Sequence, residues 1–171
     1  MKIIYILTAI ILILIIIYIR YYLKYKTDIK ILQVFINNFK LDNLYERYPL
    51  LIYDQIYSHK ELLDTIFAYS YQFTSETKVI NPEIAKINKS KYLLISPVKD
   101  DIILNIINPK YAEEVKKQQK FSESNIQYVS IKLKAKQVLI LPSRWIFQSD
   151  QEIMITKLDD ILSVIAFNLF V

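Results

Sequence analysis

Apolar positions along this chain follow three rhythms, each predicting a different kind of element. The first is an unbroken run: Ile3 to Ile19 reads IIYILTAIILILIIIYI, with no charge in it. About 20 residues at 1.5 Å each cross the roughly 30 Å core of a bilayer. Extending the run to Leu23 admits Arg20, whose long side chain can snorkel to the headgroups. Tyr18, Tyr21 and Tyr22 stand where an interfacial aromatic belt belongs. The run predicts a transmembrane anchor over 1–24, with Ile3, Leu7, Ile11, Leu14, Ile17 and Ile19 in the span. A cleaved signal peptide is the rival, but such a site wants small residues, and Arg20-Tyr21-Tyr22-Leu23-Lys24 follows instead.

The second rhythm is helical. Ile29, Leu32, Phe35, Ile36 and Phe39 predict an amphipathic juxtamembrane helix within 25–47, its apolar face on the domain or on the bilayer surface. Ser58 and Glu61 form a capping-box pattern opening a helix over 59–70. Residues 110–120 favour a polar helix. Asp159 can cap a last helix through Ile161, Leu162, Ile165 and Phe170, too short for a second span.

The third rhythm belongs to strands. Short apolar or alternating runs occur at 48–54, 92–96, 102–107, 126–133, 137–141, 145–147 and 152–157, with a further extended stretch at 71–74. The runs at 92–96 and 102–107 flank a turn and predict a hairpin. Residues 75–90 are polar, contain Pro82 and read as a loop. The fold class expected is α+β: a transmembrane helix, then a small antiparallel β-sandwich or jelly roll over 48–171 with flanking helices.

Composition removes more chemistry than it adds. The 171 residues include no Gly and no Cys. That excludes disulfides, thiol nucleophiles, thiolate metal sites and every glycine-dependent phosphate loop. The net charge of +5 is spread along the chain, so no nucleic-acid partner is expected. Arg20, Lys24, Lys26 and Lys30 follow the span against Lys2 before it, which predicts a cytoplasmic C-terminal domain. One sequon, Asn88-Lys89-Ser90, would matter only on a luminal side.

The segment Lys132 to Trp145, KLKAKQVLILPSRW, resembles cupin-like double-stranded β-helix domains, including the JmjC-like branch. There an apolar strand ends in Pro and a Trp follows. Tyr48-Pro49-Leu50-Leu51-Ile52 resembles the strand that opens such domains, so the likeness covers about 48–160. Membrane-anchored proteins of this look also occur in large DNA viruses. Iron-dependent members of the family hold metal with two His and a carboxylate. This chain has one histidine, His59, and Ser143, Arg144, Ile146 and Phe147 occupy the stretch where ligands would be sought. The resemblance therefore implies a fold without its metal.

Other chemistry finds simpler explanations. His59, beside a capping box, reads as a surface helix residue. Asp100-Asp101 suit a turn, and Asp159-Asp160 suit a helix start. Arg144 and Trp145 are the candidate partner contact, through charge and stacking, against a plain reading of Trp145 as core. No catalytic, cofactor-binding or metal-binding residue is assigned. The function expected is a non-enzymatic, membrane-anchored structural or interaction protein, such as a virion or viral-membrane component. Its partners would be the lipid bilayer and other membrane or virion proteins, with a homo-oligomer compatible. The alternatives are a tethered enzyme with an atypical cupin-type site, or a lipid or small-molecule binding module.

Overall fold

The computed structural model describes residues 2–67, 73–74, 76–117 and 126–170. Its strands are β1 (Leu32–Val34), β2 (Leu50–Ile52), β3 (Phe73–Thr74), β4 (Lys78–Ile80), β5 (Lys86–Ile87), β6 (Tyr92–Pro97), β7 (Ile102–Ile107), β8 (Tyr128–Leu133), β9 (Val138–Pro142), β10 (Ile146–Gln148) and β11 (Ile153–Asp159). Its helices are α1 (Lys2–Leu23), α2 (Leu41–Tyr45), α3 (His59–Ile66), α4 (Ala112–Lys117) and α5 (Ile161–Phe170).

Strand pairing decides the fold. β7 pairs with β8, β6 with β9, β5 with β10 and β4 with β11, all antiparallel. These nested pairs make one long two-stranded ribbon. The ribbon rolls up so that β11 also meets β6, and β10 also meets β7. Two antiparallel sheets result, β4-β11-β6-β9 and β5-β10-β7-β8, which is the topology of a cupin-like jelly roll. The first sheet is widened by β3 on β11, by β2 on β9, and by β1, which joins β2 in parallel.

Layering explains the texture of the sequence. The inner core, between the sheets, holds Leu93, Ile95, Leu104, Ile106, Leu139 and Trp145. The outer face of the first sheet carries Leu94, Ile140 and Leu158 under Leu62 and Phe67. The outer face of the second sheet carries Ile107 and Ile146 under Ala112 and Val115 of α4. β6 and β9 are buried on both faces, so they read as continuous apolar runs. β8 has one wet face, so it alternates. Each fully buried Leu or Ile contributes about 1.5–3 kcal/mol.

α1 stands apart from this core. Ile3, Leu7, Ile11, Leu14 and Ile17 are all more than half exposed, and Ile19 is half-buried. The stretch Ile3–Tyr21 is long and apolar enough to cross a membrane, and none of it is buried within the protein. Its foot is fixed to the jelly roll at two points. Arg47 donates to the carbonyls of Tyr21 and Lys24, and to Ser143 Oγ at 2.7 Å. Tyr18 donates to Asp160, which also holds Lys91 in an ion pair. α5 starts at this second point and lies along α1.

Several expected elements differ. The amphipathic helix expected within 25–47 does not form as one element: β1, a 3-10 turn at Ile36–Asn38 and the short α2 take the segment instead. Leu32 belongs to the helical spacing, but with Val34 it also satisfies a two-residue period. The open edge of β2 supplies ladder partners, and Asp54 captures the Ile36 amide at 2.6 Å. The expected loop 75–90 contains β4 and β5, too short for an apolar run to mark them. The predicted hairpin at 92–107 is a crossover, because β6 and β7 lie in opposite sheets. The last helix is capped by Asp160 rather than Asp159: Asp160 accepts from the Ser163 amide at 2.7 Å. Residues 68–72 and 118–120 of the expected elements lie outside the described residues.

Candidate functional site

The open end of the roll, where β4, β6 and β11 face β5 and β10, encloses a cavity of about 350 Å³. Leu93, Phe147 and Ile155 form its floor as part of the inner core, with Ile80 packed beside them. The register shows what else points inward. Lys157 sits opposite Leu93, Lys78 opposite Ile155 and Lys86 opposite Phe147. Directly paired residues share a face of the sheet, so all three lysines stand on the face that lines the sandwich interior. Lys89 and Glu76 complete the mouth, giving four lysines and one carboxylate around an apolar floor.

Inward charges on edge strands also serve to block edge-to-edge pairing. That role accounts for Lys78 and Lys86, since β4 and β5 are edges. It does not account for Lys157, because β11 lies inside its sheet between β6 on one side and β3 and β4 on the other. A convergent positive mouth over an apolar floor suits a small anion that carries an uncharged body.

Asn88 ties the cavity edge to β9. Asn88 at the cavity edge is 2% exposed, and its Nδ2 donates to the carbonyls of Leu141 and Pro142, both at 2.9 Å. Its Oδ1 accepts from the Ser90 amide at 2.9 Å. The sequon is thus folded into the structure, and its amide nitrogen is engaged.

His59 lies elsewhere, and the expectation of a surface position is corrected. It is 3% exposed on the outer face of the first sheet. Nδ1 is 2.7 Å from Thr156 Oγ1 and Nε2 is 2.8 Å from Ser96 Oγ. Burial pushes its pKa down to about 4, so the imidazole is neutral at physiological pH. The ring is a structural strut between α3 and the sheet, on the side away from the cavity.

Trp145 is 1% exposed in the inner core, with Nε1 donating to the Arg47 carbonyl at 3.2 Å. Arg144 is half-buried, has a φ of 70°, and lays its guanidinium 4.9 Å from the centre of the Tyr25 ring. The structure does not bring either of them to the cavity lining. Among the described residues, no group of three or more His, Asp or Glu is placed to hold a metal ion. Sequence reasoning missed Lys78, Lys86 and Lys157. The signal was there in Ile153-Ile155-Lys157 and Lys78-Ile80, where a lysine continues the inward face of an alternating strand.

No family model matches the chain, and no curated protein does. Solved structures do. One is dTDP-4-dehydrorhamnose 3,5-epimerase from Bacillus anthracis with TDP and PPi bound, at 15% identity and TM-score 0.32, covering 60% of this chain and 61% of that one. Another is dTDP-6-deoxy-D-glucose-3,5-epimerase from Legionella pneumophila in complex with dTDP-4-keto-L-rhamnose, at 10% and 0.34, covering 61% and 57%. A third is RmlC from Streptococcus suis in complex with dTDP-D-xylose, at 9% and 0.35, covering 66% and 61%. The chain thus spans about three-fifths of the length of each. The expectation of a non-enzymatic structural protein is corrected by this result, since the similar structures are epimerases. At such scores the likeness carries no substrate, mechanism or residue role to this chain.

Proposed function

We propose that this chain is a membrane-tethered jelly-roll enzyme that acts on a small anionic molecule, held in the open end of the roll. The observation that supports it is the convergence of Lys78, Lys86 and Lys157, from three strands, on one cavity with an apolar floor. A phosphate-bearing sugar is the chemistry that fits best: phosphate oxygens meet the ammonium groups while the ring lies on Leu93, Phe147 and Ile155. Glu76 and the lysines are the groups able to exchange a proton with such a substrate. The tether is α1, with Arg20, Lys24 and Lys26 at its end supporting a cytoplasmic domain.

Titration calorimetry on the full chain in detergent tests the reading, with pyrophosphate, a hexose 1-phosphate and a dTDP-sugar as probes. At least one of these phosphate-bearing probes binds, a free hexose run as the uncharged control does not, and Lys157→Gln weakens binding by roughly tenfold, about 1.4 kcal/mol. Incubating the bound sugar in D2O and following ring-proton exchange by NMR then tests turnover. Absence of binding by all three probes, or binding indifferent to Lys78→Gln and Lys157→Gln, refutes the site. Binding without any proton exchange or product refutes the enzymatic reading.

A further inference from the structure

We propose that the junction of α1, α2 and α5 is a built seat for one anionic phospholipid, an inference that rests on the tether reading above. An open apolar groove of about 580 Å³ runs beside α1. Ile11, Leu14, Ile15 and Ile17 form one wall, and Leu162 of α5 forms the other. From Ile11 to Tyr21 the groove follows α1 for about 15 Å, half of the roughly 30 Å hydrocarbon core and so one leaflet deep. α5 has ten residues and matches the same depth. Its Ile161, Val164 and Ile165 are 52, 41 and 42% exposed, so α5 too presents an uncovered apolar surface.

At its domain end the groove meets a basic cup of about 190 Å³. Tyr21 and Tyr45 line both cavities, so the two adjoin. Lys24, Lys26 and Arg47 line the cup beyond them. Arg47 clamps the helix end through the Tyr21 and Lys24 carbonyls, so these contacts preorganise the cup. The Tyr21 hydroxyl donates to the Tyr45 carbonyl at 2.9 Å and fixes the step between the two parts.

Charge complementarity selects the occupant. An apolar channel one leaflet deep that ends in cations at the expected headgroup level matches an acyl chain joined to a phosphate. A neutral helix from a second copy would leave the cup unanswered, and a soluble phosphate would leave the groove unanswered.

Native mass spectrometry of the full chain, extracted from membranes in mild detergent and from nanodiscs of phosphatidylcholine with phosphatidylglycerol, tests this directly. One phosphatidylglycerol per chain is retained, at least tenfold over phosphatidylcholine. Lys24→Gln with Lys26→Gln reduces that preference roughly tenfold, and Leu14→Trp, which fills the groove, reduces retention of either lipid. Equal retention of both lipids, no one-to-one adduct, a groove closed by dimerisation, or full binding by glycerol phosphate alone overturns the seat. Resistance to alkaline carbonate extraction is measured on the same membranes. A chain that resists extraction but holds no lipid sinks only this inference, whereas a chain released by carbonate sinks the tether with it.

Discussion

Acid titration of the one histidine gives the sharpest check on the packing. In the unfolded chain His59 titrates near 6.5, and burial lowers this to about 4 in the folded state. A group whose folded pKa is depressed contributes stability above its unfolded pKa, and that contribution fades as pH falls. Between about pH 7.5 and about pH 4.5 the loss from His59 alone is about 2.5 kcal/mol, since the unfolded chain takes up a proton that the folded one refuses. Carboxylates titrate in part of the same window, so the comparison needs a non-titrating partner. His59→Gln keeps a polar group near Ser96 and Thr156 without the ionisation. Urea denaturation of both proteins in the same detergent, across that range, reads the difference. The wild type loses about 2.5 kcal/mol more than His59→Gln. With a single histidine, NMR on histidine-labelled protein reports the folded pKa without assignment. A folded imidazole titrating near 6.5, or a stability gap that does not change with pH, refutes the buried strut.

Three further outcomes follow from local geometry. Lys136 has a φ of 68° in the turn between β8 and β9, and Lys136→Gly raises stability by about 0.5–1 kcal/mol in thermal melts by relieving the left-handed backbone. Asp160→Asn weakens the Lys91 ion pair and the hold on Tyr18, costing about 1–2 kcal/mol in its partly exposed setting. Hydrogen exchange should then speed up in α5 before the sheets; uniform exchange through both would contradict the latch. Expression in a secretory host leaves Asn88 unmodified in folded protein even if the domain is luminal, because its amide nitrogen is engaged. A quantitative mass shift that Asn88→Gln abolishes would contradict this placement.

Long, strongly patterned elements were legible in the sequence. β2, β8, β9, β10 and β11 match the runs that predict them, because each is fixed by which of its faces is dry, and α1 matches an apolar run that stands outside the core. The expected jelly roll also stands, and the nested pairing gives it a specific topology. What failed was everything decided by a distant partner. Leu32 and Val34 become a strand because β2 offers an edge, and β6 and β7 separate because the ribbon rolls there. The helical spacing of 28–40 and the hairpin-like turn at 97–101 were real local patterns overruled by tertiary pairing. His59 was misplaced for a related reason: an N-terminal helix position says nothing about the sheet above it. The candidate cavity needed both the register and the curl, since Lys78, Lys86 and Lys157 lie far apart in sequence.

A ribbon that rolls up by nesting zips from its closed end. β7 against β8 is the innermost pair, and each pairing outward from it shortens the closure needed for the next. The rate of folding is therefore governed by the innermost strands, while β4, β11 and the helix beyond them join last. Truncating Leu104 in β7 should slow refolding, whereas truncating Ile153 in β11 should chiefly hasten unfolding. During synthesis the order matters further. If α1 is the tether proposed above, it enters the bilayer while β11 and α5 are still unmade, and the roll closes beside a membrane that already holds its other end.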